Sequence, residues 1–350
     1  MGGKGGRILS LDVLRGLTVA CMILVNNGTA DSFPALRHAA WNGLTLSDMV
    51  FPFFLFIMGI SINFSRKGGP GQILRRSGII LLLCWGIRYI EYALGGDFLP
   101  WDHFRLTGVL ARIALCYLAA ALLSRYVPPR ILPPLAGVLL AGYAVLLVYG
   151  NGYAQDSSNI LSIVDRALLG EAHLYHKSPV DPEGLLSTVS ALAHTLAGCL
   201  CGLILKREVP LPDRLRRMAL YGLVLAAAGL LLSLWFPLNK RIWSPSYALF
   251  TCGGCALLLA GLAWWIDLRG CWSWTPFFEA FGRNALAVYT LSELLSAVAG
   301  RTGFSGRLYG VFSGVIPYLP AASLLYSLCF VGINALFAYI LYRKQVFIKI

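Results

Sequence analysis

Only 13% of the 350 residues are charged and 57% are hydrophobic, which excludes an ordinary soluble domain, where about 25% of residues are charged. The net charge of +13 alone would fit nucleic-acid binding. The mean hydropathy is +0.69, and the basic residues lie between apolar segments. This pattern is typical of a membrane protein, so we expect no nucleic-acid partner. The composition predicts a protein whose surroundings are the lipid bilayer.

Ten apolar segments are long enough for spanning helices, each of which needs roughly 20 residues. In chain order they cover about 11–28, 46–65, 76–95, 104–126, 131–149, 184–205, 214–236, 244–266, 276–299 and 316–342. No break between them would hold a soluble domain, so we predict one domain over residues 1–350. The predicted fold is all-α, a polytopic transmembrane helical bundle. The first span lacks an A-x-A-like cleavage site, so we expect it to be retained.

Basic residues are distributed unevenly between alternate loops. If the amino terminus is cytoplasmic, 17 fall in cytoplasmic segments and 9 in outer segments. The cytoplasmic set is Lys4, Arg7, Arg66, Lys67, Arg75, Arg76, Arg125, Arg130, Lys206, Arg207, Arg214, Arg216, Arg217, Arg269, Arg343, Lys344 and Lys349. The outer set is Arg37, Arg88, Arg105, Arg166, Lys177, Lys240, Arg241, Arg301 and Arg307. The positive-inside rule then places both termini in the cytoplasm.

Arginines within or beside the predicted spans require a partner or a cavity, because a charge in the bilayer costs free energy. Asp12 and Arg15 in LDVLRG lie three residues apart on one helix face, which fits either an ion pair or an anion site. Arg105 and Arg112 are seven residues apart, so we expect them on one face of one helix. There they would suit either a phosphate-bearing ligand or helix packing.

Polar residues also interrupt the span 276–299. Glu279 and Arg283 have the spacing of a helical ion pair. Asn284 and Glu293 have no partner at such a spacing.

One histidine stands out as a candidate for chemistry. His38 lies in RHAAWNG, close to Asn42 and to Asp48, which begins an apolar span. This short stretch supplies a base that titrates near neutral pH, an amide and a carboxylate.

No metal site is predicted. His173 and His176 are three residues apart, but no carboxylate or cysteine completes a ligand set. His194 lies in mid-span, where a packed polar role is expected. Cys252 and Cys255 form a CxxC pair without a second pair, and we interpret them as apolar filling within a helix.

Several blocks of the sequence resemble the heparan-α-glucosaminide N-acetyltransferase family, transmembrane enzymes that use acetyl-CoA to acetylate a terminal glucosamine. The blocks run in family order over nearly the whole chain. They are SLDVLRGL at 10–17, ILVNNG at 23–28, RHAAWNGLTLSDMVFPFFLFIMGISI at 37–62, WDHFRLTGVLAR at 101–112, DRALLGEAHLY at 165–175, DPEGLL at 181–186, PLNKRIWSPSY at 237–247, TPFF at 275–278 and AYILYRKQVFIKI at 338–350.

The resemblance implies that His38 is the catalytic histidine and that Asn26 lies at the active centre. Asn27 stays an alternative, because the interval to His38 is one residue longer here than in the family. Acyl transfer to an amine needs a base and donors for the carbonyl oxyanion. We expect His38 to be the base and Asn26 or Asn42 to be the donor, with Asp48 completing the catalytic set.

The donor substrate implied by the resemblance is acetyl-CoA. Its phosphates need cationic contacts, and its adenine needs an aromatic surface such as Trp243. The predicted donor-binding residues are Arg15, Arg105, Arg112, Asn239, Lys240, Trp243, Ser246 and Asn284.

Two departures from the family pattern fall on one predicted helix, where Arg283 replaces a frequent Met and Ser292 a frequent His. The animal enzymes also have a longer loop before DPEG, so we expect an amino sugar or short glycan as acceptor here. The expected location is the cytoplasmic (inner) membrane of a bacterium, as a multi-pass protein, and a homodimer is an open alternative.

Two other functions compete with the N-acetyltransferase. One is an O-acetyltransferase of a cell-envelope glycan, and the other is a transporter of sugar fragments. The absence of an internal repeat among the predicted spans disfavours the transporter. The mechanism has two alternatives as well, direct transfer with His38 as base or an acetyl-imidazole intermediate, and we expect direct transfer.

The basic asymmetry yields a topology prediction. We expect an Arg207→Cys variant to react with a membrane-impermeant maleimide in inside-out vesicles and not in intact cells, relative to the unsubstituted chain. Labelling from outside the cell would contradict the predicted orientation.

Overall fold

The structure is a computed structural model that describes residues 8–65 and 69–348. Within these ranges the regular secondary structure is entirely helical, so the all-α prediction is confirmed. Of the cytoplasmic basic set, Lys4, Arg7, Arg66, Lys67 and Lys349 lie outside the described residues.

Thirteen α-helices follow one another in the described ranges. They are α1 (Leu9–Asn26), α2 (Leu46–Phe64), α3 (Pro70–Leu94), α4 (Val109–Tyr126), α5 (Leu132–Tyr149), α6 (Ile160–Leu169), α7 (Thr188–Leu205), α8 (Leu211–Leu232), α9 (Pro245–Ala263), α10 (Thr275–Arg283), α11 (Ala285–Arg301), α12 (Phe304–Val315) and α13 (Leu319–Arg343). A π-helical turn, Trp264–Leu268, extends α9.

Nine helices among the described residues are long and apolar enough to cross a membrane, judged by length and composition. They correspond to nine of the ten predicted spans. The exception is 276–299, which is not one helix but is broken at Asn284 into α10 and α11. There the Asn284 side chain donates to the carbonyl of Val346 at 3.0 Å and accepts from the amide of Ile348 at 2.9 Å. The helix break at Asn284 is therefore hydrogen-bonded to the carboxyl-terminal segment through Val346 and Ile348.

Consecutive spanning helices with short connections run in alternate directions. The loops 27–45, 95–108, 150–187 and 233–244 consequently lie at one end of the bundle, which we call the His38 end. Hydrogen bonds between these loops support this arrangement, such as that from the Gly43 amide to the Leu238 carbonyl at 2.8 Å. The opposite end carries the last turn of α2, the first turn of α3 and the connections α4–α5 and α7–α8.

Helices α1 and α10 approach each other closely through two glycines. A Cβ atom on Gly16 would lie 1.8 Å from the Phe278 carbonyl oxygen, and one on Gly282 would lie 1.9 Å from the Asp12 carbonyl oxygen. Helices in membranes use small residues in this way, because close contact of the backbones strengthens packing. The broken segment is therefore fixed against the first span.

This contact predicts a position-specific effect of adding one methyl group. Gly282→Ala should lower the free energy of unfolding by about 1–3 kcal/mol, because the new Cβ overpacks the contact with α1. Gly261→Ala, in α9 with open space around the site, is the control and should have no such cost. Thermal unfolding in detergent measures both, and equal midpoints for the two variants would contradict the close approach.

Candidate active site

The site begins with the amino-terminal cap of α2. Thr45 is the N-cap residue and Asp48 is the third residue of the helix, as in a capping box. One carboxylate oxygen of Asp48, Oδ2, accepts from the Thr45 amide at 3.2 Å, from the Thr45 hydroxyl at 2.9 Å and from the Ala39 amide at 3.0 Å. The Asp48 side chain is 1% exposed. A buried carboxylate therefore fixes both the helix start and the preceding loop.

The second oxygen of Asp48 contacts the imidazole of His38. The distance from Oδ1 to Nδ1 is 2.8 Å, and the His38 side chain is 47% exposed. We assign the ring proton to Nδ1, because this tautomer donates to the carboxylate. Nε2 is then left to accept a proton. A carboxylate that orients a histidine in this way is the arrangement of a general base.

Lys240 joins this pair from the loop between α8 and α9. Its Nζ atom lies 3.5 Å from Asp48 Oδ1 and 3.2 Å from His38 Nδ1. Burial lowers the pKa of the Lys240 ammonium from its ordinary value, and the Asp48 carboxylate opposes that shift. His38, Asp48 and Lys240, which we call the His38 cluster, therefore combine a base, a carboxylate and a cation.

Two inter-loop hydrogen bonds place Lys240 beside His38. The Gly43 amide donates to the Leu238 carbonyl at 2.8 Å, and Asn239 Nδ2 donates to Asn42 Oδ1 at 3.0 Å. Gly43 has a φ of +118°, a conformation that glycine adopts without strain. Because the oxygen of Asn42 is held by Asn239, the Asn42 amide group is the end left to donate.

Three predicted donor-binding residues lie in the protein interior behind Lys240. The backbone amide of Asn239 donates to Ser244 Oγ at 3.0 Å, and the Ser244 and Ser246 hydroxyls are 3.1 Å apart. Trp243 is fully buried and packs edge-on against Phe51. In this structure Asn239, Ser246 and Trp243 shape the loop that carries Lys240. Their contact with a donor stays a prediction.

The prediction that Arg105 and Arg112 lie on one face of one helix is wrong, because α4 begins only at Val109. Arg105 lies in the preceding loop, and its Nη2 contacts Asp181 at 2.9 Å and Glu183 at 2.8 Å. The one indication of these partners in the sequence is that both belong to the DPEGLL block. Two carboxylates therefore neutralise the Arg105 guanidinium in this structure.

Arg112 is 1% exposed within α4. Its Nη2 donates to the Gly184 carbonyl at 3.0 Å and to the Ser187 hydroxyl, and its guanidinium lies 5.1 Å from the Trp243 ring centre. Arg105 and Arg112 thus converge on the segment 181–187, although not from one helix face. A donor contact by either arginine remains a prediction.

Of the two candidate asparagines, Asn26 is exposed and Asn27 is buried. The Asn27 amide is engaged internally, donating to the Ile23 carbonyl at 2.8 Å and accepting from Ser296 at 2.7 Å. Asn26 Nδ2 donates to Glu293 Oε1 at 3.1 Å, which supplies the partner that sequence spacing did not reveal. The geometry therefore favours Asn26 over Asn27 as a functional residue.

Arg15 and Asn284 lie towards the other end of the bundle. Arg15 contacts Asp12 at 3.2 Å and donates to the Ser61 hydroxyl at 2.7 Å. Both polar ends of the Asn284 amide are bonded to the carboxyl-terminal segment. The structure thus divides the predicted residues between two ends and does not bring all of them to His38.

Comparison with known proteins gives one consistent result. The sequence model described as "Heparan-alpha-glucosaminide N-acetyltransferase, catalytic" matches residues 7–163. The curated heparan-alpha-glucosaminide N-acetyltransferase of Homo sapiens is 29% identical over 98% of this chain and 60% of the relative. That of Mus musculus is 30% identical over 99% of this chain and 61% of the relative. The chain spans about three fifths of the length of these relatives, and the resemblance predicted from the sequence is confirmed.

The His38 cluster predicts a rescue experiment. Asp48→Asn should lower the free energy of unfolding by about 2–3 kcal/mol, because hydrogen bonds to a charged group contribute about 1.5–3 kcal/mol. Adding Lys240→Met should restore part of this loss, since it removes the ammonium that the carboxylate balanced.

Thr45→Ala is the matched control for this experiment. It weakens the same helix cap by about 1 kcal/mol and leaves the Asp48 charge in place. Lys240→Met should therefore not rescue Thr45→Ala. Thermal unfolding of the single and double variants gives the coupling, and strictly additive losses would rule out the Asp48–Lys240 pairing.

Proposed function

From this confirmed resemblance to the heparan-α-glucosaminide N-acetyltransferases, we propose that the chain is a transmembrane acetyltransferase. It moves an acetyl group from acetyl-CoA to the amine of a glucosamine-type sugar. The observation that carries the proposal is the His38–Asp48 pair, in which a buried carboxylate orients an exposed imidazole. The resemblance also implies a catalytic role for His38, since it lies in RHAAWNG, the segment that matches the family's catalytic histidine.

His38 acts as the general base in the proposed reaction. A sugar amine is mostly protonated at neutral pH, and its nitrogen becomes nucleophilic only after the proton is removed. Nε2 of His38 accepts that proton while Nδ1 remains bonded to Asp48. That first proton passes from His38 to solvent. As the amine nitrogen forms its bond to the acetyl carbon, Nε2 accepts the second nitrogen proton, the carbon–sulfur bond breaks, and the thiolate of CoA takes this proton from His38, which leaves the neutral amide and the CoA thiol. Asp48 orients the ring and stabilises the imidazolium without becoming protonated.

Two residues of the loops at the His38 end, Asn42 and Lys240, are the proposed donors for the acetyl oxygen. The oxygen of Asn42 accepts from Asn239, which leaves the Asn42 Nδ2 group to donate, and the Lys240 ammonium lies 3.2 Å from His38 Nδ1. Either group can stabilise the negative charge that develops on the carbonyl oxygen in the transition state. Asn42 is the stronger candidate, because Lys240 also balances the charge of Asp48.

Asn26 has a different proposed part from Asn42. One Nδ2 hydrogen is donated to Glu293, so the Asn26 side chain still offers its oxygen as an acceptor and its second Nδ2 hydrogen as a donor. Together with the Glu293 carboxylate it suits the hydroxyl or ammonium groups of an amino sugar. This pair orients the acceptor in the proposed complex.

Lys240 is the proposed cation for the donor at the His38 end. Arg105 would contact donor phosphates only by exchanging its bonds to Asp181 and Glu183, and Arg112 only by opening the packed core. The proposed location is the cytoplasmic membrane of a bacterium, with His38 on the outer side. This placement rests on the positive-inside distribution.

The test combines labelled acetyl-CoA and glucosamine with the protein in lipid vesicles. We expect a product with the mass of an N-acetylated sugar that survives mild base. A base-labile product would indicate an O-acetyl ester and the O-acetyltransferase alternative. Retention of all label on CoA would contradict the proposed function.

The role of His38 predicts a specific kinetic defect. His38→Ala should lower kcat by about 10²–10⁴-fold, the usual contribution of a general base, with acetyl-CoA binding retained. His176→Ala, an exposed histidine in a loop at the same end, is the control and should keep full activity. Loss of acetyl-CoA binding in His38→Ala would assign the residue to the donor site instead.

A final measurement separates direct transfer from a covalent route. Enzyme mixed with labelled acetyl-CoA without sugar should release no stoichiometric CoA. Release of one equivalent, with label on His38, would replace direct transfer by an acetyl-imidazole intermediate.

A further inference from the structure

A pocket of about 420 Å³ lies at the end of the bundle opposite His38. It is formed by the ends of α2, α3, α4 and α7 and by the start of α5. Sixteen described residues line it, and none of these is acidic. The proposed reaction uses none of them.

Four of the lining residues are cationic: Arg75, Arg76, Arg125 and Lys206. Arg76 stacks its guanidinium 4.7 Å from the Tyr117 ring centre, and its buried Nε atom has no hydrogen-bond partner in the described structure. Lys206 Nζ donates to the Asn63 carbonyl at 3.2 Å. Among the described residues, no carboxylate lies within ion-pair distance of Arg75, Arg76 or Lys206. Their positive charge is therefore not balanced by the pocket itself.

The walls of the pocket are of two kinds. Ile62, Ile79, Leu132 and Leu203 give it an apolar side, and α3 is mostly exposed along its apolar length. Asn63, Ser65, Gln72 and Ser124 add neutral hydrogen-bonding groups near the cations. A ligand that matches both walls carries negative charge at one end and hydrocarbon at the other.

We propose that this pocket binds a phosphate-bearing anion. Phosphate oxygens accept charge-assisted hydrogen bonds from several cations at once, and basic pockets between spanning helices on the cytoplasmic side recognise anionic headgroups. The phosphate can come from an anionic phospholipid or from a soluble nucleotide such as the 3′-phosphorylated ADP part of CoA. The apolar wall favours the phospholipid. In the nucleotide case, the inference rests on the proposed function and moves the phosphate contacts of the donor from Lys240 to this pocket.

The test measures binding without any acetyl transfer, so its result is independent of the enzymatic assay. The protein in neutral phosphatidylcholine nanodiscs is titrated with adenosine 3′,5′-bisphosphate, and in a second arm phosphatidylglycerol replaces part of the lipid. Lipids that remain bound after extraction are counted by native mass spectrometry. Saturable retention of phosphatidylglycerol identifies the lipid, and saturable nucleotide binding identifies the soluble phosphate.

The matched variants are two double substitutions with the same change of charge. The double substitution Arg75→Gln with Arg76→Gln should weaken binding of the anion by about tenfold or more, because each basic residue adds to the electrostatic attraction. Arg216→Gln with Arg217→Gln, an exposed arginine pair on α8 at the same end, should change affinity by less than about twofold. If both double substitutions weakened anion binding equally, the attraction would be a general property of the basic surface, and the proposed binding in the pocket would be overturned.

A second variant covers the case in which the Arg75 and Arg76 double substitution fails to fold. Lys206→Met removes one pocket cation and only one described hydrogen bond, to the Asn63 carbonyl. It should also weaken phosphatidylglycerol or bisphosphate binding. No saturable binding of either anion to the unsubstituted protein would overturn the proposal outright.

Discussion

The buried carboxylate of Asp48 is the interaction on which the site depends. Its two oxygens accept from the Thr45 amide and hydroxyl, from the Ala39 amide and from the His38 ring, and Lys240 lies close by. A buried charge is tolerated only with such partners, because leaving water costs free energy. One side chain therefore starts a spanning helix, fixes the preceding loop and orients the proposed base.

The rigid bundle behind this carboxylate holds the geometry in place. The Tyr247 hydroxyl donates to the Asp48 backbone carbonyl at 2.6 Å, which connects the beginning of α9 to the beginning of α2. The loops 37–45 and 238–244 then meet through Asn42 and Asn239. A proposed base on a loop thus gains the positional precision of two helices.

Arg105 and Arg112 follow the same rule that a buried charge needs partners. Their charge alone therefore does not predict a ligand. Spacing suggested that Arg105 and Arg112 face a phosphate, but a buried guanidinium is stable only when protein groups already satisfy it. Asp181 and Glu183 do so for Arg105, and the Gly184 carbonyl and Ser187 do so in part for Arg112. Arg75, Arg76 and Lys206, which have no acidic partner among the described residues, line the pocket at the opposite end instead.

The sequence alone determined the helical class, nine of the spans and the candidate base, because hydrophobic length and local residue types are written along the chain. The pairing of His38 with Asp48, ten residues away, was within reach of that local information. The tertiary structure decided the break at Asn284, the partners of Arg105 and the approach of Lys240 to His38. These depend on residues 62 to 202 positions apart, and only packing of the whole bundle brings such side chains together.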